Sequence, residues 1–92
     1  MAEGKYRFNL YIAGFGDDRK AEVIEALKHL HPKSGKDWFK KVLDGARETG
    51  RSEVVYQTNS KNDAYRTAQL LHHRGAALEL EDLFPEQDED DL

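Results

Sequence analysis

The stretch 14–19 (GFGDDR) has the composition of a phosphate-binding loop. It follows a strand pattern and opens a helix pattern, and glycines at such a place let the backbone approach a pyrophosphate at the helix N-terminus. However, Arg19 occupies the position of the third glycine of a dinucleotide motif, and Asp17 and Asp18 would repel a pyrophosphate. Adjacent carboxylates also point apart, which disfavours a Mg²⁺ site. We therefore interpret the stretch as a turn followed by a helix cap.

The four histidines occur as two pairs, His29 with His31 and His72 with His73. Metal ligands on one helix need a spacing of three or four residues to share a face, and neither pair has it. Cysteine is absent from the chain, so thiolate chemistry is excluded. No nucleophile and base stand in a recognisable arrangement. The sequence predicts no catalytic residue, no metal site and no cofactor, and hence a protein that is not an enzyme.

Lysines concentrate where the first two helices are predicted. Over residues 28–41, five lysines stand against one acid, Asp37, which gives a net charge of +4. The whole chain has a net charge of −4, but five of its 18 acids lie in the last ten residues, so the rest of the chain is near neutral. Such a cluster favours an acidic or mixed protein surface as partner, because nucleic acids require a larger footprint of cations. Its members are Lys28, Lys33, Lys36, Lys40 and Lys41.

The first part of the chain reads as a strand and two helices. Alternation over 5–12 indicates a strand with one buried face. The expected buried side chains are Tyr6, Phe8, Leu10 and Ile12, with Lys5, Arg7, Asn9 and Tyr11 on the opposite face. Helical spacing follows over 18–31, with Ile24 at the edge of the apolar stripe. The stretch 34–37 (SGKD) has the form of a capping box that opens a second helix to about Arg47, with Trp38 at the margin of its stripe.

The second part reads as strand, helix and strand. Residues 54–58 are rich in strand formers. Asn59 or Ser60 is the expected cap of a third helix, which stops at Gly75, and alternation over 76–81 indicates the last strand. The fold class is therefore α/β in the α+β sense, a two-layer β-α-α-β-α-β domain over 1–82. We expect a three-stranded sheet with helices on one face and a central first strand antiparallel to both neighbours. An acidic, disordered tail over 83–92 follows.

Residues 6–81 resemble the C-terminal domain of the bacterial ribosomal stalk protein and, on the same general fold, the protease adaptor ClpS. The likeness is carried by the aliphatic first strand, the glycine turn, KAEVIEALK over 20–28, and SKNDAYRTAQLLHHRGAALELE over 60–81. In the stalk family the rim of the first two helices docks onto translational GTPase factors. Ile24, Gly35 and Lys40 keep the residue type found there, and Lys28 replaces an arginine. Glu25 stands where the family has a lysine, and Ala21 is smaller than the usual valine. The acidic turn at Gly16-Asp17-Asp18 resembles the turn with which ClpS holds a substrate amine.

These observations predict a non-enzymatic protein-binding module of adaptor type, or of a type associated with the ribosome and translation factors. The expected contact residues on the first two helices are Ala21, Ile24, Lys28, Lys36, Trp38, Lys40 and Lys41. For Trp38 the alternative is that it covers the core between the two helices. The alternative function is nucleic-acid binding through the lysine cluster and the tyrosines of the sheet, such as Tyr11, which could stack bases.

Location, assembly and the tail are less determined by the sequence. No apolar run has the length of a membrane span, and we expect a cytoplasmic protein of undetermined oligomeric state. Leu83 and Phe84 precede the acidic residues of the tail. The tail is therefore open to three interpretations: a motif presented to a partner, a lid over the lysines, or a solvated terminus.

Overall fold

The computed structural model describes residues 6–84. The predicted order β-α-α-β-α-β is confirmed, and the class is α+β. The elements are β1 (Phe8–Phe15), a 3-10 turn (Asp17–Arg19), α1 (Lys20–Leu30), α2 (Lys36–Thr49), β2 (Val54–Thr58), α3 (Lys61–His73) and β3 (Ala76–Asp82). The expectations for Lys5 as a strand residue and for the acids of the tail lie outside the described residues.

The three strands form one antiparallel sheet with β1 in the centre, in the order β2-β1-β3. The predicted topology is therefore confirmed. The register between β1 and β2 shifts by one residue: Leu10 pairs with Tyr56, but the next residue, Tyr11, pairs with Val54. This shift skips Val55, and Val55 is buried with the core rather than standing on the opposite face.

The core lies between the sheet and a single layer of helices. Leu10 and Ile12 of β1 are almost fully buried and meet side chains from all three helices. The helical contributions are Val23, Ala26 and Leu27 from α1, Phe39, Val42, Leu43 and Ala46 from α2, and Leu71 from α3. The core residues of α1 and α2 repeat at three and four positions, as do the buried residues Ala64, Thr67 and Leu71 of α3. Each helix therefore turns one face to the sheet.

Several local predictions are wrong. Tyr6 is exposed rather than buried, because β1 begins at Phe8 and Tyr6 precedes the paired part of the sheet. The capping box at 34–37 does not form, since Gly35 is the N-cap of α2 and no side chain caps it. Asp17 and Asp18 lie in the 3-10 turn and do not cap α1. The third helix is capped as expected, because the Ser60 hydroxyl accepts a hydrogen bond from the Asp63 amide.

Gly75 connects α3 to β3 in a conformation that favours glycine, with φ at 104°. A Cβ atom there would lie 2.5 Å from the Cβ of Arg19. The Arg19 guanidinium is held in place, because it donates a hydrogen bond to the His73 carbonyl at 2.9 Å. Gly75 therefore combines a positive φ with a close contact, and both exclude a larger residue.

We expect Gly75→Ala to lower the free energy of unfolding by about 3 kcal/mol. Gly50→Ala is the matched control, since Gly50 has a φ of 82° but no atom within 4 Å of its Cβ position. This control should cost only about 1 kcal/mol from the backbone conformation. Urea denaturation of both variants measures the difference. Equal losses would show that the contact with Arg19 contributes nothing.

Candidate functional site

A groove with a volume of about 340 Å³ lies between α1 and the first turns of α2. Phe39 and Ile24 form its apolar part, and Phe39 is 3% exposed. Lysines surround this apolar part on both helices. The lining residues are Lys20, Ile24 and Lys28 from α1, and Lys36, Asp37, Phe39 and Lys40 from α2.

Helical spacing and a short connection bring these residues together. The α1 members Lys20, Ile24 and Lys28 are each four residues apart, so they stand in a row along one side of the helix. Only residues 31–35 separate the end of α1 from the start of α2, which makes the two helices neighbours. The opening turns of α2 therefore lie beside that row and complete the groove.

The four lysines of the groove have no carboxylate partner among residues 6–84. Most other cations near the sheet and its loops do have one. In the described part of the chain the ion pairs include Arg7 with Asp82, Arg19 with Glu22, Lys41 with Glu53, Arg47 with Asp17, and Arg51 with Glu79. The groove thus concentrates uncompensated positive charge next to an apolar pocket, and Asp37 is its single acid.

The N-terminus of α2 adds to this positive potential. Gly35 is its N-cap and offers no side-chain acceptor to the first amides of the helix. The amides of Trp38 and Phe39 turn back to the Gly35 carbonyl at 3.1 and 3.4 Å. The helix dipole places partial positive charge at this end. A carboxylate near Lys36 would therefore be attracted by both the side chain and the helix end.

The structure divides the seven predicted contact residues into two groups. Four of them line the groove together: Ile24, Lys28, Lys36 and Lys40. Ala21, Trp38 and Lys41 do not line it. The prediction missed Lys20 and Phe39, although Lys20 stands four residues before Ile24 and could have been found from that spacing. Phe39 was assigned to the core alone, and it does belong to the core while one side faces the groove.

Trp38 and Lys41 face other neighbours. The Trp38 ring packs edge-on against His31 and Phe39, with centroid distances of 5.0 and 5.4 Å. The ring is half-buried against the core, which favours the alternative that Trp38 covers the core between the helices. The Lys41 ammonium lies 4.0 Å from Glu53 in the loop before β2. Ala21 is exposed on α1.

The glycine turn is occupied by structural contacts. Arg47 of α2 donates a hydrogen bond of 2.7 Å to the Asp17 carboxylate, and its guanidinium stands 5.0 Å from the centre of the Phe15 ring. Arg47 therefore ties α2 to the turn that follows β1. These contacts give Asp17 a role in holding the turn.

The sheet face without helices carries a buried polar network. Arg7, Asn9 and Tyr11 do face this side as predicted, but they are only 6%, 9% and 7% exposed. The Tyr11 hydroxyl donates to Glu81, which also accepts a hydrogen bond from Asn9. Burial and the bond to Glu81 raise the pKa of Tyr11, and the bond from Tyr11 lowers the pKa of Glu81. This network fills the face between the strands.

Tyr11 and Tyr56 of the sheet are both engaged in contacts within the chain. The Arg51 guanidinium lies 4.1 Å from the centre of the Tyr11 ring and covers it. Tyr56 lies on the helix side, where its hydroxyl donates to Asp63 at 2.8 Å. That bond raises the pKa of Tyr56 and lowers that of Asp63. The expectation that Tyr11 offers an exposed ring for stacking on this face is therefore wrong.

No protein-family model matches the chain, and no curated protein matches it in sequence. Among residues 6–84, none of the helices has the length and apolar content that crossing a bilayer requires.

At the end of the sheet, Arg7 donates two hydrogen bonds to Asp82, at 2.9 and 3.0 Å. The hydrogen bonds from Arg7 lower the pKa of Asp82. A carboxyl group whose pKa is lower in the folded state stabilises the fold above its unfolded pKa, and this contribution is lost as the pH falls through its folded pKa. The pair thus contributes to stability at neutral pH and not in strong acid.

We expect Asp82→Asn to lower the free energy of unfolding at pH 7, with a loss that shrinks progressively in acid, below the ordinary carboxyl pKa of about 4. Urea denaturation over a pH series measures the loss. Asp44→Asn is the control, because Asp44 has no ion pair among the described residues. A loss from Asp82→Asn that stays constant down to strong acid would contradict a role for the ionised carboxylate.

Proposed function

We propose that the protein is a non-enzymatic protein-binding module whose groove between α1 and α2 receives an apolar side chain from an acidic segment of a partner protein. The observation that carries this proposal is the coincidence of an apolar pocket with four lysines that have no partner among residues 6–84. Single charged side chains on a surface are ordinary, whereas a charged rim around an apolar anchor site is the usual anatomy of a small interface.

The size of the groove limits what it can hold. A volume of about 340 Å³ is at the lower end of the range for ligand pockets, about 300 to 1,000 Å³. It accommodates one or two side chains of a peptide rather than a folded surface. Ile24 and Phe39 supply the apolar contact that would anchor a leucine or an aromatic ring, and the proposed ligand is therefore a short segment.

The lysines would select acidic residues on both sides of the anchor. Lys20 and Lys28 stand on α1, and Lys36 and Lys40 stand across the groove on α2. Charge complementarity of this kind increases the association rate and suppresses binding to basic partners more than it increases affinity. An acidic segment with one central apolar residue fits this arrangement.

Nucleic-acid binding has less support. The tyrosine expected to stack bases on the open sheet face is buried under Arg51. What is left is a patch of four lysines, which would contact few phosphates. We therefore rank a protein segment first, and the two classes of partner differ in their salt dependence.

Two neighbouring lysines give a matched test of the groove. Lys40 lines it and Lys41 lies beside Glu53, so Lys40→Glu and Lys41→Glu change the charge equally at adjacent positions. In a display selection from a random peptide library, we expect the wild-type protein to enrich acidic peptides with a central apolar residue. Lys40→Glu should weaken binding of a selected peptide about tenfold or more, on the scale of a lost interface contact, and Lys41→Glu should leave it nearly unchanged.

Calorimetric titration of one selected peptide against both variants measures the difference, and Ile24→Ser tests the apolar anchor separately. Equal loss in the two lysine variants would show that net charge alone attracts the peptide. A titration with random single-stranded DNA provides the contrast. Tight DNA binding with a steep dependence on salt, together with no enriched peptide, would contradict the proposal.

A further inference from the structure

The outer edge of β3 is a second surface, separate from the groove between α1 and α2. We propose that β3 pairs in antiparallel register with β3 of a second copy of this chain, which gives a two-fold symmetric dimer with a continuous six-stranded sheet. This inference is independent of the proposed function, because the residues that carry it do not line the groove between α1 and α2.

The backbone of β1 shows which groups of β3 face outward. The Ile12 amide donates to the Ser52 hydroxyl at 3.0 Å, and the Ile12 carbonyl accepts from the Ser52 amide at 2.8 Å. Both backbone groups of Ile12 therefore point away from β3. Leu78 is the partner of Ile12 in the register, so the amide and carbonyl of Leu78 also point away from β1.

Alternation along an antiparallel strand extends this result to Leu80, which stands opposite Leu10. In the described part of the chain, β3 pairs with β1 alone, and no bond to the outward groups of Leu78 or Leu80 is present. An edge with free amides and carbonyls is a template for another strand.

The opposite edge of the sheet, on β2, is shorter and is contacted in its middle. β2 has five residues, and a ring nitrogen of His31 contacts the carbonyl of Val55, the second of them. β3 has seven residues, and the comparable contact involves only its first, where a ring nitrogen of His72 lies 3.3 Å from the Ala76 carbonyl. β3 therefore offers the longer uninterrupted edge.

The helix side of this edge has room for side chains from an added strand. A hollow of about 320 Å³ lies between α3 and β3. Leu78 of β3 lines it together with Tyr65, Ala68 and His72 of α3, and Tyr65 is 52% exposed. A residue paired with Leu78 in the backbone ladder would place its side chain on the same face, beside Leu78.

The charges of β3 are compatible with a second copy in a register centred on Leu78. If Leu78 stands opposite Leu78 of the second copy, Glu79 stands opposite Ala77, and no two acids of the open face are directly opposed. A register centred on Glu79 would oppose two carboxylates, which is destabilising. Glu79 is also paired with Arg51 at 2.9 Å within its own chain. The strand is therefore compatible with its own copy, and Leu78 lies on the two-fold axis.

This register predicts that two substitutions of the exposed residue Ala77 change the dissociation constant of the dimer in opposite directions. Because the dimer is symmetric, residue 77 of each copy stands opposite Glu79 of the other copy. Ala77→Glu would therefore oppose two carboxylates at both places, and Ala77→Lys would form an ion pair at both. We expect the dissociation constant of the dimer to rise in the first variant and fall in the second, each by about 2-fold to about 30-fold. Sedimentation equilibrium over a concentration series measures it.

Ala21 is the matched control position, because it is also an exposed alanine but lies on α1 and does not line the hollow beside β3. Ala21→Glu and Ala21→Lys should leave the association unchanged. Equal responses at Ala77 and Ala21 would mean that net charge governs association, and they would overturn the pairing of β3.

Hydrogen exchange tests the backbone directly in the wild-type protein. The amides of Glu79 and Glu81 point to β1 and should be protected at every protein concentration. The amides of Leu78 and Leu80 should become protected only at high concentration, where the dimer is populated. A chain that stays monomeric at high concentration, with these two amides unprotected, would overturn the proposal. That result would leave the edge to a strand from another protein.

Discussion

The structure depends on the enclosure of the first five residues of β1, Phe8 to Ile12. The strand is central in the sheet, and all five of these side chains are buried. Leu10 and Ile12 face the helices, whereas Asn9 and Tyr11 face a polar network on the other side. A buried polar group costs free energy unless it is hydrogen-bonded. The two neighbouring strands must therefore bring partners such as Glu81 and Gln57 to specific positions.

This requirement constrains the register of the sheet from both faces. A one-residue slip of β3 would expose Leu78 and Leu80, and it would also remove Glu81 from Tyr11 and Asn9. Hydrogen bonds between Ser52 and Ile12 also extend the pairing beyond the end of β2. Ser52 lies before the first residue of β2, yet its amide and hydroxyl both bond to Ile12. In this way the polar face and the strand pairing stabilise one another.

The cations that form ion pairs and those that do not lie in different parts of the molecule. Arg7, Arg47 and Arg51 are engaged in ion pairs that hold the sheet and its loops. The cations left without a carboxylate partner in the described part of the chain include the four lysines of the groove between α1 and α2. The proposed binding site and the proposed pairing edge share no residue, so a dimer through β3 would present two grooves. Such an assembly would bind a partner with two acidic segments more tightly than one with a single segment.

The sequence determined the order of elements and the core stripes, because periods of two and of three to four residues follow from local backbone geometry. The central antiparallel β1 followed from the handedness rule for crossover connections. Helical spacing also identified Ile24 and Lys28 as neighbours. The short connection between the two helices then predicted that Lys36 and Lys40 lie beside them on one basic surface. Only the tertiary structure decided that Trp38 and Lys41 turn to His31 and Glu53, and that Tyr11 is buried under Arg51. These outcomes depend on contacts between separate elements, such as that of Tyr11 in β1 with Arg51 in the loop before β2. Such contacts leave no periodic signature in a chain, and for that reason the sequence alone could not predict which side chains remain free.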